Sequence, residues 1–157
     1  MRNLVRLYDL MALICFCAMM ACVLTEVFAR NVIKLPTTWV EELSRLLFIW
    51  TIFLGSASAW YRGSHIIINV LPRRLSDRPR RILKLVVELG TLIFLVCTWG
   101  GAIYMMVYNY EATSTALEIS ISYFYLGLFI GVTGIIIFHV RQIAGTVASL
   151  KADLALE

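Results

Sequence analysis

The chain has 157 residues, of which 61% are hydrophobic and 15% charged, with a formal charge of +4. A surface that faces water brings about 25% charged residues, so this composition excludes an ordinary soluble domain and points to a surface facing lipid or protein. The basic residues gather mainly in one connection without interleaved aromatics, which excludes a nucleic-acid footprint and reads as a signal of membrane topology.

From the N-terminus, Arg2 and Arg6 precede an apolar run over 7–29. A cleaved secretory signal has an apolar region of roughly 7–15 residues followed by small residues. Here the run is longer and no small-x-small site follows, so the segment is expected to remain as a first membrane helix. A helix that crosses a hydrocarbon core about 30 Å thick needs roughly 20 apolar residues. Three further segments meet that test, at 39–61, 82–110 and 121–140. The expected fold is an all-α membrane protein, one domain of four transmembrane helices. Trp39, Tyr108, Tyr110 and Tyr123 mark one membrane boundary, and Trp60 and Tyr61 the other, since Trp and Tyr favour the headgroup zone.

Of the 14 Lys and Arg residues, Arg30, Lys34 and Arg45 fall on one side and all the others on the opposite side. That bias is expected to hold both termini in the cytoplasm. The stretch from Ile66 to Pro72 is too short to span. It is expected to lie along the inner interface, with the neighbouring arginines meeting anionic lipid.

The second helix opens with Thr38-x-x-Glu41-Glu42-x-x-Arg45. Thr38 and Glu41 have capping-box spacing, and two acids suit the positive end of a helix dipole. Arg45 has two routes to a partner: Glu41 or Glu42 on its own helix, or a group on another helix or subunit. Glu26 reaches a similar depth from the adjacent antiparallel span and is the cross-helix candidate. Glu26 and Glu88 each have a basic neighbour four residues away, Arg30 and Lys84. Structural ion pairs are therefore expected there in preference to a proton or ion site.

His65 and His139 fall near the same inner face. Facing histidines can ligate a haem, but His65 lies in a connection beyond Arg62, which argues against that use. Cys15, Cys17, Cys22 and Cys97 sit in apolar runs without zinc or redox spacing and are expected to act as small packing residues. The sequence has no nucleophile–base pair, phosphate loop or metal motif, so neither an enzyme nor a cofactor in this chain is expected. Gly127-x-x-x-Gly131-x-x-Gly134 on the fourth helix, Gly55-Ser-Ala-Ser-Ala59 on the second and Gly100-Gly101 on the third would allow close helix approach.

The stretch from Trp39 to Gly55 contains Glu41-Glu42-Leu43-x-Arg45, Leu47-Phe48-x-Trp50 and Phe53-Leu54-Gly55, and continues to Gly63-Ser64-His65-Ile66 and Asn69-Val70-Leu71-Pro72. It resembles the small membrane subunit of tripartite ATP-independent periplasmic (TRAP) transporters. The motif-rich part covers about residues 39–72; elsewhere the similarity lies in length, four spans and a basic loop. Asn69 is a departure, because an acidic residue is common there in the family. The resemblance implies an accessory subunit in the bacterial inner membrane that packs against a large membrane subunit. The large subunit would carry the substrate and sodium sites, while a periplasmic substrate-binding protein docks on the outer surface. The implied activity is sodium-driven symport of an organic acid, a dicarboxylate or an acidic sugar such as sialic acid. Trp50, Gly55 and His65 join the contact candidates through the motif, beside Glu26, Glu41, Glu42, Arg45, Glu88, Gly127 and Gly131. Two alternatives are an autonomous four-helix exporter, which needs an acid well inside the membrane, and a haem-bearing respiratory anchor.

Overall fold

The computed structural model describes residues 2–34, 38–63 and 77–154. They form four α-helices: α1 (Arg2–Phe28), α2 (Thr38–Tyr61), α3 (Asp77–Tyr108) and α4 (Ser122–Leu154). All four are long and apolar enough to cross a membrane. α1 continues into a π-helical turn, Ala29–Ile33, which stops at Lys34 in the left-handed conformation. The expected interfacial stretch from Ile66 to Pro72 and His65 lie outside the described residues.

Three helices are longer than their apolar runs suggested, and the first of them, α1, already begins at Arg2. α3 begins at Asp77 and carries Pro79 in its first turn, where the missing N–H sacrifices no intrahelical bond. α4 runs well past the expected limit at 140, through Arg141 and Gln142 to Leu154. No proline follows to stop it, and Thr146 keeps a buried position against its neighbour beyond the polar pair.

The packing order differs from the chain order. α1 packs along α2, α2 along α4, and α4 along α3. α4 is thus an inner member of an open row whose edges are α1 and α3, with Tyr8 of α1 reaching across to α4. The core centres on the inner helices, with Leu54, Ala57, Val132, Ile135 and Phe138, and takes in Val5, Tyr8 and Cys15 of α1 and Leu95 of α3. The edge helices leave large apolar side chains uncovered, among them Leu13 and Leu24 on α1 and Phe94 and Val107 on α3. Such faces suit a lipid or protein surrounding.

Three glycines seat the neighbours of α4. A Cβ at Gly127 would lie 2.7 Å from the Trp50 ring, one at Gly131 2.5 Å from Phe53 Cβ, and one at Gly134 2.7 Å from the Tyr8 ring. The first and last share one device. Trp50 Nε1–H donates to the Tyr123 carbonyl at 3.1 Å, and the Tyr8 hydroxyl donates to the Ile130 carbonyl at 3.0 Å. Each acceptor lies four residues before its glycine. A helical side chain leans toward the N-terminus, over the turn that holds that carbonyl. Glycine leaves the carbonyl open to a donor from another helix, α2 for Trp50 and α1 for Tyr8.

The other small-residue expectations need correction. A Cβ at Gly55, Gly100 or Gly101 would meet nothing within 4 Å, so none of these glycines makes a close helix contact among the described residues. α3 runs unbroken through Gly100 and Gly101. On α2 the close-packed small residues are Ala57 and Ser58, both buried.

Candidate functional site

Two polar clusters stand toward the two ends of the helices. At the first end, the connection between α3 and α4 folds back onto the start of α2. Thr113 and Ser120 form an antiparallel bridge, and Glu118 takes a left-handed conformation with φ 53°. The turn between them presents four donors to Glu42. Its Oε2 accepts the Ala116 and Leu117 amides, both at 3.0 Å, and the Ser114 hydroxyl. Its Oε1 accepts the Thr115 hydroxyl at 2.8 Å. Hydrogen bonds to an ionised acceptor are roughly twice as strong as neutral ones, so one carboxylate latches the whole connection to α2.

This corrects the expectation that Glu42 serves Arg45 or the helix start. Its donors come from 72 to 75 residues along the chain, beyond the reach of helical spacing. The one available signal was a pair of hydroxyl residues, Ser114-Thr115, in a connection at the same membrane boundary as Glu42.

Arg45 pairs with Glu41 on its own helix, Nη2 to Oε1 at 3.2 Å, and both side chains are more than 60% exposed. The alternative pairing with Glu26 is not formed, and Glu26 makes no ion pair with Arg30 either, among the described residues. The reason is the side of α2 on which Arg45 stands: it lines the seam toward α4, with Phe124 and Leu128, while Glu26 belongs to α1. A double-mutant cycle with Glu26→Gln and Arg45→Gln is therefore expected to be additive in thermal unfolding. The Glu41–Arg45 cycle should show a coupling of about 0.3–0.5 kcal/mol, small because both groups are open to solvent.

At the other end, Asp9 of α1 accepts the Ser58 hydroxyl on Oδ1 and the Arg62 guanidinium on Oδ2. This junction ties the start of α1 to the end of α2. It was not among the expected sites, because Arg62 reads as a topology charge. The available signal was Asp9 itself, an acid inside the first apolar run, level with the end of an antiparallel span.

Glu88 is 4% exposed and His139 2%. Lys84 lies 3.7 Å from Glu88 Oε1, the helical neighbour pair that the spacing implied. The same oxygen also accepts Gln142 Nε2 at 3.2 Å and the Thr146 hydroxyl at 3.1 Å, both from α4. His139 Nε2 sits 2.8 Å from the Glu88 carbonyl, which makes that nitrogen the protonated donor. The Trp60 ring meets the imidazole edge-on at 5.1 Å between centroids. Glu88 and His139 thus join α2, α3 and α4. Among the described residues no group of three or more His, Cys, Asp or Glu is placed to hold a metal ion.

Residues 19–149 match the family model of tripartite ATP-independent periplasmic transporters, DctQ component. The chain belongs to this family. Among DctQ-component relatives, the sialic acid TRAP transporter small permease protein SiaQ of Vibrio cholerae is 29% identical over 102 residues, covering 65% of this chain and 56% of that protein. The C4-dicarboxylate TRAP transporter small permease protein DctQ of Rhodobacter capsulatus is 31% identical over 109 residues, covering 68% and 47%. A further match is to the sialic acid TRAP transporter permease protein SiaT of Haemophilus influenzae, 30% identical over 82 residues, or 52% of this chain and 13% of that protein. The DctQ-family chain thus spans about half the length of the small permease proteins it matches. The family match takes in Glu42, Arg45, Trp50, Glu88, Gly127, Gly131 and His139. Tyr8 and Asp9 precede it.

Proposed function

We propose that this chain is the small permease subunit of a TRAP transporter, an accessory scaffold and not the carrier of substrate. Family membership over residues 19–149 carries the reading. The open row supports it, because the outer faces of α1 and α3 are uncovered and apolar, as a subunit seated against a larger membrane partner requires. The placement of charge supports it too. Transport sites in secondary transporters lie near the midplane, whereas Glu42 and Arg45 stand at one end of the helices and Asp9, Arg62 and Glu88 toward the other. On this reading the large subunit holds the substrate and sodium sites. The latched 109–121 connection faces the periplasm and offers its surface to a substrate-binding protein, and both termini are cytoplasmic. The cargo class is an organic acid, sialic acid or a C4-dicarboxylate, as named for the relatives.

Reconstitution tests the reading. Vesicles that contain the large membrane subunit, the binding protein and this chain are expected to accumulate labelled organic acid on a sodium gradient, and omission of this chain should reduce uptake to background. Gradient-driven uptake by this chain alone would overturn the assignment. Orientation is tested in a background without Cys15, Cys17, Cys22 and Cys97, the four native thiols. In intact cells Ala112→Cys should react with a membrane-impermeant thiol reagent, and Ser76→Cys should react only after lysis. Ala112 is exposed, whereas Ser114 is engaged by Glu42 and is a poor reporter.

A further inference from the structure

A cavity of about 480 Å³ opens along the seam between α2 and α4, within the roughly 300–1,000 Å³ range of small-molecule sites. Its lining changes with depth. The mouth carries Arg45 and Thr113, and the deeper walls are Ile49, Phe53, Phe124 and Leu128. Arg45 to Phe53 is about 12 Å along the helix, against roughly 15 Å of hydrocarbon in one leaflet. The polar mouth therefore stands at headgroup level and the apolar walls at acyl-chain depth.

The charges at the mouth narrow the occupant. Glu42 also lines it, but four donors from the α3–α4 connection already surround its carboxylate. Among the described residues Arg45 is held only by Glu41, through one nitrogen, and both side chains are more than 60% exposed. A guanidinium has five N–H donors, so most remain for a ligand, and Glu41 keeps a free carboxylate oxygen. Arg45 at the mouth and Glu41, one helical turn outside the lining, thus offer a cation and an anion side by side above an apolar slot. A headgroup that joins a phosphate to a primary ammonium complements both charges. A purely anionic headgroup brings no positive charge to Glu41, and a quaternary ammonium has no N–H.

We propose that the α2–α4 seam binds one aminophospholipid, with its phosphate on Arg45, its ammonium on Glu41 and one acyl chain against Ile49, Phe53, Phe124 and Leu128. The site needs only a bilayer and stands apart from the transport role. The test is native mass spectrometry of the purified full chain, titrated with phosphatidylethanolamine, phosphatidylglycerol and phosphatidylcholine of identical acyl chains. One phosphatidylethanolamine per chain should be retained, about fivefold or more tighter than the other two. Arg45→Gln, at an exposed position with helicity and melting as controls, should weaken it about tenfold. Glu41→Gln should reduce phosphatidylethanolamine to the level of phosphatidylcholine. Leu128→Trp should fill the slot and remove all three. Equal retention of the three lipids, or an unchanged preference in both charge variants, would overturn the site. So would capture of the large membrane subunit in place of lipid by a photo-crosslinker at Ile49 in native membranes, because the seam would then be a protein contact.

Discussion

Glu42→Gln is expected to free the 109–121 connection from α2 and to abolish whatever depends on its shape. The wild-type carboxylate accepts two hydroxyls and two amides, on both of its oxygens. Glutamine keeps one acceptor, so its NH₂ group either faces the two amides, donor against donor, or faces the Thr115 hydroxyl, which must turn to accept. The loss also removes the charge that makes these bonds strong. Hydrogen exchange at the Ala116 and Leu117 amides should accelerate by at least about tenfold, since their charged acceptor becomes at best a neutral one, without global unfolding. The helices should persist, because the core on α2 and α4 does not involve Glu42. If the connection carries the proposed docking surface, uptake in the three-component vesicles falls in parallel. Glu41→Gln is the matched control: its carboxylate serves Arg45 alone among the described residues, so the same amides should exchange at the wild-type rate. Unchanged exchange in Glu42→Gln would show that the latch does not hold the connection.

The second large effect is expected at Gly131. A Cβ there would stand 2.5 Å from Phe53 Cβ and 2.6 Å from the Phe53 carbonyl oxygen. Neither obstacle is a flexible side-chain tip, so α2 and α4 must move apart as units. Overpacking of this kind costs about 1–3 kcal/mol and sometimes more, and Gly131→Leu should exceed Gly131→Ala. At Gly127 and Gly134 the obstacles are the Trp50 and Tyr8 rings. Alanine there should also strip a hydrogen bond by covering the Tyr123 or Ile130 carbonyl. Gly55→Ala and Gly101→Ala meet open space. They should be neutral or stabilising, because alanine favours a helix over glycine by roughly 0.5–1 kcal/mol. Thermal unfolding of the five alanine variants in one detergent separates the groups. Equal melting of Gly131→Ala and Gly101→Ala would contradict the seating of Phe53 on α4.

The four spans were legible in the sequence because each is a property of its own stretch of chain: about 20 apolar residues suffice for a helix to cross, whatever lies beside it. The Glu41–Arg45 and Lys84–Glu88 pairs were legible for the same reason, since a partner four residues away is set by the helix itself. The motif between Trp39 and Gly55 likewise pointed to the family from contiguous residues. Other features were decided only when the helices packed. Nothing in the letters distinguishes Gly131 from Gly101, yet one faces the Phe53 backbone and the other open space. Nothing near Glu42 announces the connection that claims it, or near Asp9 the serine and arginine that hold it. The order α1, α2, α4, α3 is of the same kind. Apolar periodicity states how much of a helix avoids water, and in a bilayer lipid satisfies that requirement as well as protein does. Which helix lies against which is settled by clearance and by single polar contacts, and those partners stand up to 122 residues apart in the chain.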